Sequence, residues 1–154
     1  ISTARFSELN FSFLPRVDVP MNKGVILNGG DVLFIAKGAS NYAVSVPTLK
    51  EDVTISSSIL LIRLNTFDFL PSFIAWYINQ YGVRKMEPQL TRRMVVYSKS
   101  DLVNLEIPCI PIEEQRKIVT LDGLLNKQKE LSNKLLSKKK VLINQIFKNR
   151  FCNE

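Results

Sequence analysis

Four cationic side chains fall within ten residues: Arg84, Lys85, Arg92 and Arg93. Gln89 and Thr91 lie between them, and Tyr97 and Lys99 follow. Arginine can donate two bonds at once to a guanine edge or to a phosphate, and glutamine can read adenine. That chemistry is nucleic-acid contact. The plainer reading is a solvated loop that only adds charge. A second group, Lys37-Gly38-Ala39-Ser40-Asn41-Tyr42, places a cation, a glycine and small polar groups where a strand should end. Such a loop can approach a phosphate backbone, or it can be a simple hairpin turn. It is not a nucleotide-binding P-loop, because the second glycine and the Gly-Lys-Ser/Thr ending are missing.

Other chemistry is thinly supplied. The chain has no histidine. This removes Ser-His-Asp and Cys-His catalysis and every zinc site that uses histidine. Cys109 and Cys152 are too few for a thiolate-only zinc site or a disulfide framework, which suits a reducing cytoplasm. Ser56-Ser57-Ser58 has no evident base beside it and reads as structural. There is no Asp/Asn-Pro-Pro-Tyr/Phe tetrapeptide for methylating an exocyclic amine, no glycine-rich methyl-donor loop and no Pro-Asp…Glu-x-Lys nuclease cluster. The expectation is a chain without catalytic residues, metal or cofactor.

The elements that must position these residues divide into a body and a tail. Among 154 residues, 45% are hydrophobic, enough for a core. Lys and Arg number 21 against 14 acidic residues, a formal +7, which favours an acidic partner such as nucleic acid. Residues 1–111 carry 11 basic and 9 acidic residues; residues 112–154 carry 10 and 5. All seven prolines lie at or before Pro111. No apolar run reaches the length of a membrane span.

In the body, Val32–Ala36, Tyr42–Val46, Ile55–Leu64 and Met94–Tyr97 read as strands, with turns at 28–31 and 38–41. Residues 68–82 read as a helix with Pro71 in its first turn and Gly82 as its stop. Its aromatic stripe, Phe73, Trp76, Tyr77 and Tyr81, reads as core. Ser100-Asp101 opens a turn before residues 102–107. Pro108 and Pro111 then stiffen the chain ahead of a helix that starts with Glu113 and Glu114, where acidic groups suit the dipole.

That helix carries an imperfect coiled-coil seam. Leu121, Leu135 and Leu142 share one heptad position with Gln128, and Leu124 and Leu131 share another with Lys138. Ile146 extends the stripe, and Gly123 weakens it by about 1 kcal/mol against alanine. A helix over 113–150 is about 57 Å long. It cannot bury its stripe on a body of roughly one small domain, so it needs another helix. Lys127, Lys129, Lys134, Lys138, Lys139, Lys140 and Lys148 read as a solvated face or as steering charge for DNA.

Three ordered segments resemble the specificity subunits of type I restriction–modification systems. Residues 30–38, Gly-Asp-Val-Leu-Phe-Ile-Ala-Lys-Gly, with Asn41, resemble the GDILF-x-x-(R/K)-G signature of their target-recognition domains. Leu70-Pro71-x-Phe73-Ile74-Ala75-Trp76-Tyr77-Ile78-Asn79 is similar to their LP-x-(Y/F)-LAWYLN helix. Residues 102–118 are similar to the DL-x-x-L-x-IP-x-PP-x-EEQ-x-x-I junction into a spacer helix, with Ile110 where proline is common. Lys138 to Phe147 resembles the Lys-rich end of that spacer.

The resemblance implies an α+β fold, with a target-recognition domain over 1–108 and a spacer helix over 109–154. It implies sequence-specific binding of double-stranded DNA without catalysis. It also implies methyltransferase (modification) subunits as partners, a restriction subunit through the complex, and no membrane. A full subunit has two such domains and two helices, so the chain corresponds to a half-length subunit or a piece of a longer one. Two copies pairing through antiparallel helices would restore the arrangement. The expected DNA contacts are Lys37, Ser40, Asn41, Arg84, Lys85, Gln89, Thr91, Arg92, Arg93 and Lys99. Leu121, Leu124, Leu131, Leu135, Leu142 and Ile146 are the expected helix-pairing residues. A protein-interaction adaptor working through the basic helix is the rival reading.

Overall fold

The structure, a computed structural model, describes residues 25–38, 40–50, 52, 53, 55, 58–90 and 95–151. The chain divides into two compact units, Ile1–Val119 and Thr120–Glu154. It is α+β, as its residue pattern predicts.

In the first unit, one extended segment serves two sheets. Strand β1 (Val32–Ile35) lies between β3 (Ala43–Ser45) and β4 (Ile59–Ile62), antiparallel to both. After Ala36 the same segment becomes β2 (Lys37–Gly38) and changes partners. It now pairs with β6 (Val95–Val96), which also pairs with β5 (Gln89–Leu90). At the crossover the Ser58 carbonyl accepts from the N–H groups of both Ala36 and Lys37. The turn before β1 has Gly30 at φ 90°, a region where an L side chain is strained.

Val32 and Phe34, both wholly buried, point from β1 into the larger core with Phe73, Ile74 and Ile78. Leu33, on the opposite face, joins Leu27 and Val46 in a smaller one. The apolar run of β1 is therefore buried on both sides.

The aromatic helix, expected over 68–82, begins at Pro71 and ends differently. Helix α1 (Pro71–Tyr77) has Pro71 in its first turn, where the missing N–H costs nothing. A π-helical turn over Ile78–Gly82 follows, and α2 (Val83–Lys85) continues the run before Met86 turns extended. Gly82 is thus inside the helical run and not its stop. A Cβ on Gly82 would come within 2.9 Å of the Leu105 Cδ2, so the glycine lets the chain after α2 pack close. Phe73 and Tyr77 are buried, while Tyr81 is half-exposed.

Two further readings need correction. Gln89–Leu90 forms a strand that no periodicity marks, because two residues show none. Ser100-Asp101, read as opening a turn before residues 102–107, lies instead within helix α3 (Lys99–Val103). Ser98 caps it: the Ser98 Oγ accepts from the Asp101 N–H, and the Asp101 carboxylate accepts from the Ser98 N–H. The Ser98 N–H, and then the Ser98 Oγ–H, which also donates to that carboxylate, hold the Asp101 carboxyl below its ordinary pKa.

Helix α4 spans Ile112–Phe151. Its first two turns belong to the first unit, where Ile118 and Val119 pack on the larger core. In the second unit the large apolar residues between Leu121 and Phe147 are exposed, by 53% or more.

Candidate nucleic-acid interface

The second sheet brings two of the expected contacts together. Lys37 and Gln89 are both cross-strand partners of Val96, one on each side. Residues in register share a face, so two side chains 52 positions apart in sequence stand on one face, about 10 Å apart across two strand spacings. Both are exposed. Gly38 and Leu90 flank Val95 in the same way, and Leu90 is 80% exposed. Strands β5 and β6 are joined through residues 91–94. Thr91, Arg92 and Arg93 therefore lie between the paired strands in sequence, outside the described residues.

Asn41 sits at the junction of the two sheets. Its Nδ2 donates to the Ile35 carbonyl at 3.1 Å and to the Val95 carbonyl at 3.4 Å. Asn41 is among the expected DNA contacts, and its amide nitrogen has two carbonyl partners inside the protein. Ser40 beside it is exposed.

Among the other described contacts, Lys85 has partners of its own. Lys85 donates from Nζ to the Tyr77 hydroxyl at 3.1 Å and lies 5.7 Å from that ring's centre, a cation–π contact. The Tyr77 hydroxyl donates in turn to the Glu106 carbonyl at 3.1 Å. Arg84 is exposed at the end of the same helical run, and Lys99 is exposed at the start of α3. Tyr97 connects the sheet to that run. Its N–H donates to the Ala36 carbonyl at 2.9 Å and its hydroxyl to the Val83 carbonyl at 3.1 Å. Burial first, and the Asp101 charge second, push the Tyr97 phenol up, so it stays a donor.

Three further polar residues fix this framework, and sequence reading singled out none of them as a site. Asp31 is buried and takes a two-pronged contact from Arg63, Nε to Oδ1 at 2.8 Å and Nη2 to Oδ2 at 2.7 Å. The Asn28 N–H adds a bond to Oδ2 at 2.8 Å. The Arg63 hydrogen bond, the largest influence, outweighs burial and holds the Asp31 carboxyl below its ordinary pKa. Asn79, on the π turn, pairs with the backbone of Ala43: Nδ2 to the carbonyl at 2.8 Å, and the Ala43 N–H to Oδ1 at 2.7 Å. Strand β3 is an edge strand, and Asn79 occupies groups that would otherwise be open for pairing. Gln115, wholly buried, accepts from the Leu70 N–H and donates to the Asp68 and Ile110 carbonyls. Local pattern did not mark them: Asp31 follows a turn, Asn79 precedes Gln80, and Gln115 stands among the charged residues 113–117.

In the second unit, Leu121, Leu124, Leu131, Leu135, Leu142 and Ile146 are exposed as a line along α4. Leu125, Leu136 and Ile143 are as exposed and form a second line beside it, so the apolar face is broader than one seam. Glu130 pairs with Lys134 and with Lys127 on the polar side. Gly123 has open space where a Cβ would be.

Among the described residues, no group of histidine, cysteine or acidic side chains could hold a metal ion. No helix among them is long and apolar enough to cross a membrane. No protein-family model and no curated protein matches the chain.

Proposed function

We propose that the chain binds double-stranded DNA sequence-specifically, as a specificity subunit of a type I restriction–modification complex, and that it has no catalysis of its own. What supports this most is the second sheet. Lys37 and Gln89 share a face around Val96, and the segment with Arg92 and Arg93 connects the strands on which that face is built. A cation for phosphate and an amide for a base edge on one face, next to two arginines in sequence, is a combination suited to groove recognition. Support also comes from the way the three family-like segments meet: Gln115 bonds to Leu70, and Asn79 bonds to Ala43, just beyond the first segment.

In this reading Arg84, Arg92, Arg93 and Gln89 read bases, while Lys37, Ser40, Lys85, Thr91 and Lys99 hold the backbone. The exposed apolar face of α4 pairs with a second copy and docks methyltransferase subunits, which bring the restriction subunit. The protein then works in the cytoplasm, beside its DNA. The exposed face of α4 by itself favours a second reading, an adaptor that binds only protein.

Selection of bound duplexes from a random pool tests the proposal. Convergence on a split sequence is the expected result. A pool that stays random contradicts it and favours the adaptor.

A further inference from the structure

We infer that Asn41 is a positioning residue, which holds β6 in the register against β2 that sets Lys37 opposite Val96, the strand partner it shares with Gln89. The inference rests on the DNA-binding reading for its consequence, and on geometry alone for its mechanism.

Register is the weak point of this sheet. Each of its strands has two residues. A slip of one residue would move every side chain of the slipped strand to the opposite face. Lys37 and Gln89 would then lose their common partner, Val96. In a longer strand the alternation of buried and exposed side chains prevents this, but a two-residue strand has almost none of that information. Bonds from outside the ladder must supply it.

Two residues do. The Tyr97 hydroxyl, one residue beyond β6, is bonded to the Val83 carbonyl. The Asn41 amide reaches Ile35 in the first sheet and Val95 in the second from a single nitrogen. The bond to Ile35 is the stronger by length; the longer one to Val95 ties the second sheet to the first. After a slip the Val95 carbonyl would no longer lie within reach. Asn41 is thus set to fix Val95, the residue at which the chain re-enters the sheet after Arg92 and Arg93, without touching DNA.

The test uses the full chain. Asn41→Ala removes both bonds; Asn41→Ser keeps a single donor. In the DNA-free protein, Asn41→Ala should speed amide exchange at residues 37, 38 and 95–97 by roughly three- to tenfold, with residues 32–35 of β1 unchanged. Asn41→Ser should fall between. Exchange at wild-type rates overturns the inference. Should neither variant fold, the wild-type Asn41 side-chain amide answers instead: exchange slower than that of exposed Gln89 is expected, and equal rates overturn it. On DNA, loss of a positioning residue should weaken binding at all base pairs of the selected sequence together. A loss confined to one base pair would make Asn41 a base contact and overturn it too. A wild-type chain that binds no duplex overturns the functional reading, while the exchange measurement still decides the role of Asn41.

Discussion

The Leu70 backbone N–H, at the start of the aromatic helix α1, donates at 2.8 Å to the Oε1 of Gln115, 45 residues later and wholly buried in the first turn of α4. Leu70 has no side chain that could cap its own helix, and no cap bond is made locally. Gln115 supplies the acceptor. Its Nε2 then donates to the Asp68 carbonyl at 2.7 Å and the Ile110 carbonyl at 2.8 Å. One amide thus joins the segment before α1, the proline-bounded segment before α4 and α4 itself. A buried N–H or carbonyl left without a partner costs about 1–3 kcal/mol.

Gln115→Ala should therefore lower the unfolding free energy by about 3 kcal/mol, because it leaves three backbone groups without their partner. Gln115→Glu keeps the size but loses the donors, and should be no better. Urea unfolding of both variants measures this. A loss as small as that of a surface substitution would contradict the role.

The Asp31–Arg63 pair should make stability depend on acid. The native Asp31 carboxyl titrates below 3.8, its ordinary value, because Arg63 and the Asn28 N–H hold its charged form. Its contribution is fully present above that value and is lost as pH falls through the native pKa. Arg63→Met leaves the carboxylate buried without its partner, and burial then raises its pKa. The deficit of Arg63→Met against wild type should be largest near pH 7 and shrink as pH falls to about 3. Equal deficits at both pH values, by urea unfolding, would refute this.

Two glycines should respond with opposite signs. Gly30 has a left-handed backbone, so Gly30→Ala should destabilise by about 1 kcal/mol. Gly123 lies within α4 with open space around it, so Gly123→Ala should strengthen the helix by about 1 kcal/mol. Circular dichroism during thermal unfolding reports both. A shared sign would contradict the assignment.

Much of this was legible in the sequence. Strands β1 and β4, the start of α1 and the whole of α4 followed from apolar runs, Pro71 and the proline-free tail. Gly82 misled because glycine usually ends a helix, whereas here the space it leaves is filled by Leu105. Strand β5 and helix α3 were hidden for different reasons. Two residues, Gln89 and Leu90, carry no period, and the Ser98–Asp101 capping box precedes only a five-residue helix. In the candidate interface, the types of Lys37 and Gln89 suggested contact, but their common face depends on pairing with Val96, which no local pattern contains. The amide of Asn41 was legible as polar and not as a bridge, since its partners are backbone carbonyls 6 and 54 residues away.

The exposed face of α4 predicts self-association. Light scattering should give a mass near twice 17.6 kDa. Leu124→Lys with Leu131→Lys should return the monomer, since each buried leucine contributes about 2 kcal/mol. A wild-type monomer would leave that face for a different partner.

The measurement that bears most directly on the central claim is duplex affinity as a function of salt, for the selected sequence and a scrambled one. Wild type should prefer the selected duplex, and log affinity should fall against log salt with a slope of about −3 for each bound copy, the signature of its three lysine–phosphate contacts. Arg92→Ala with Arg93→Ala should erase the preference and keep the dimer. Affinity that ignores salt, or a double variant that still tells the two duplexes apart, would contradict the account.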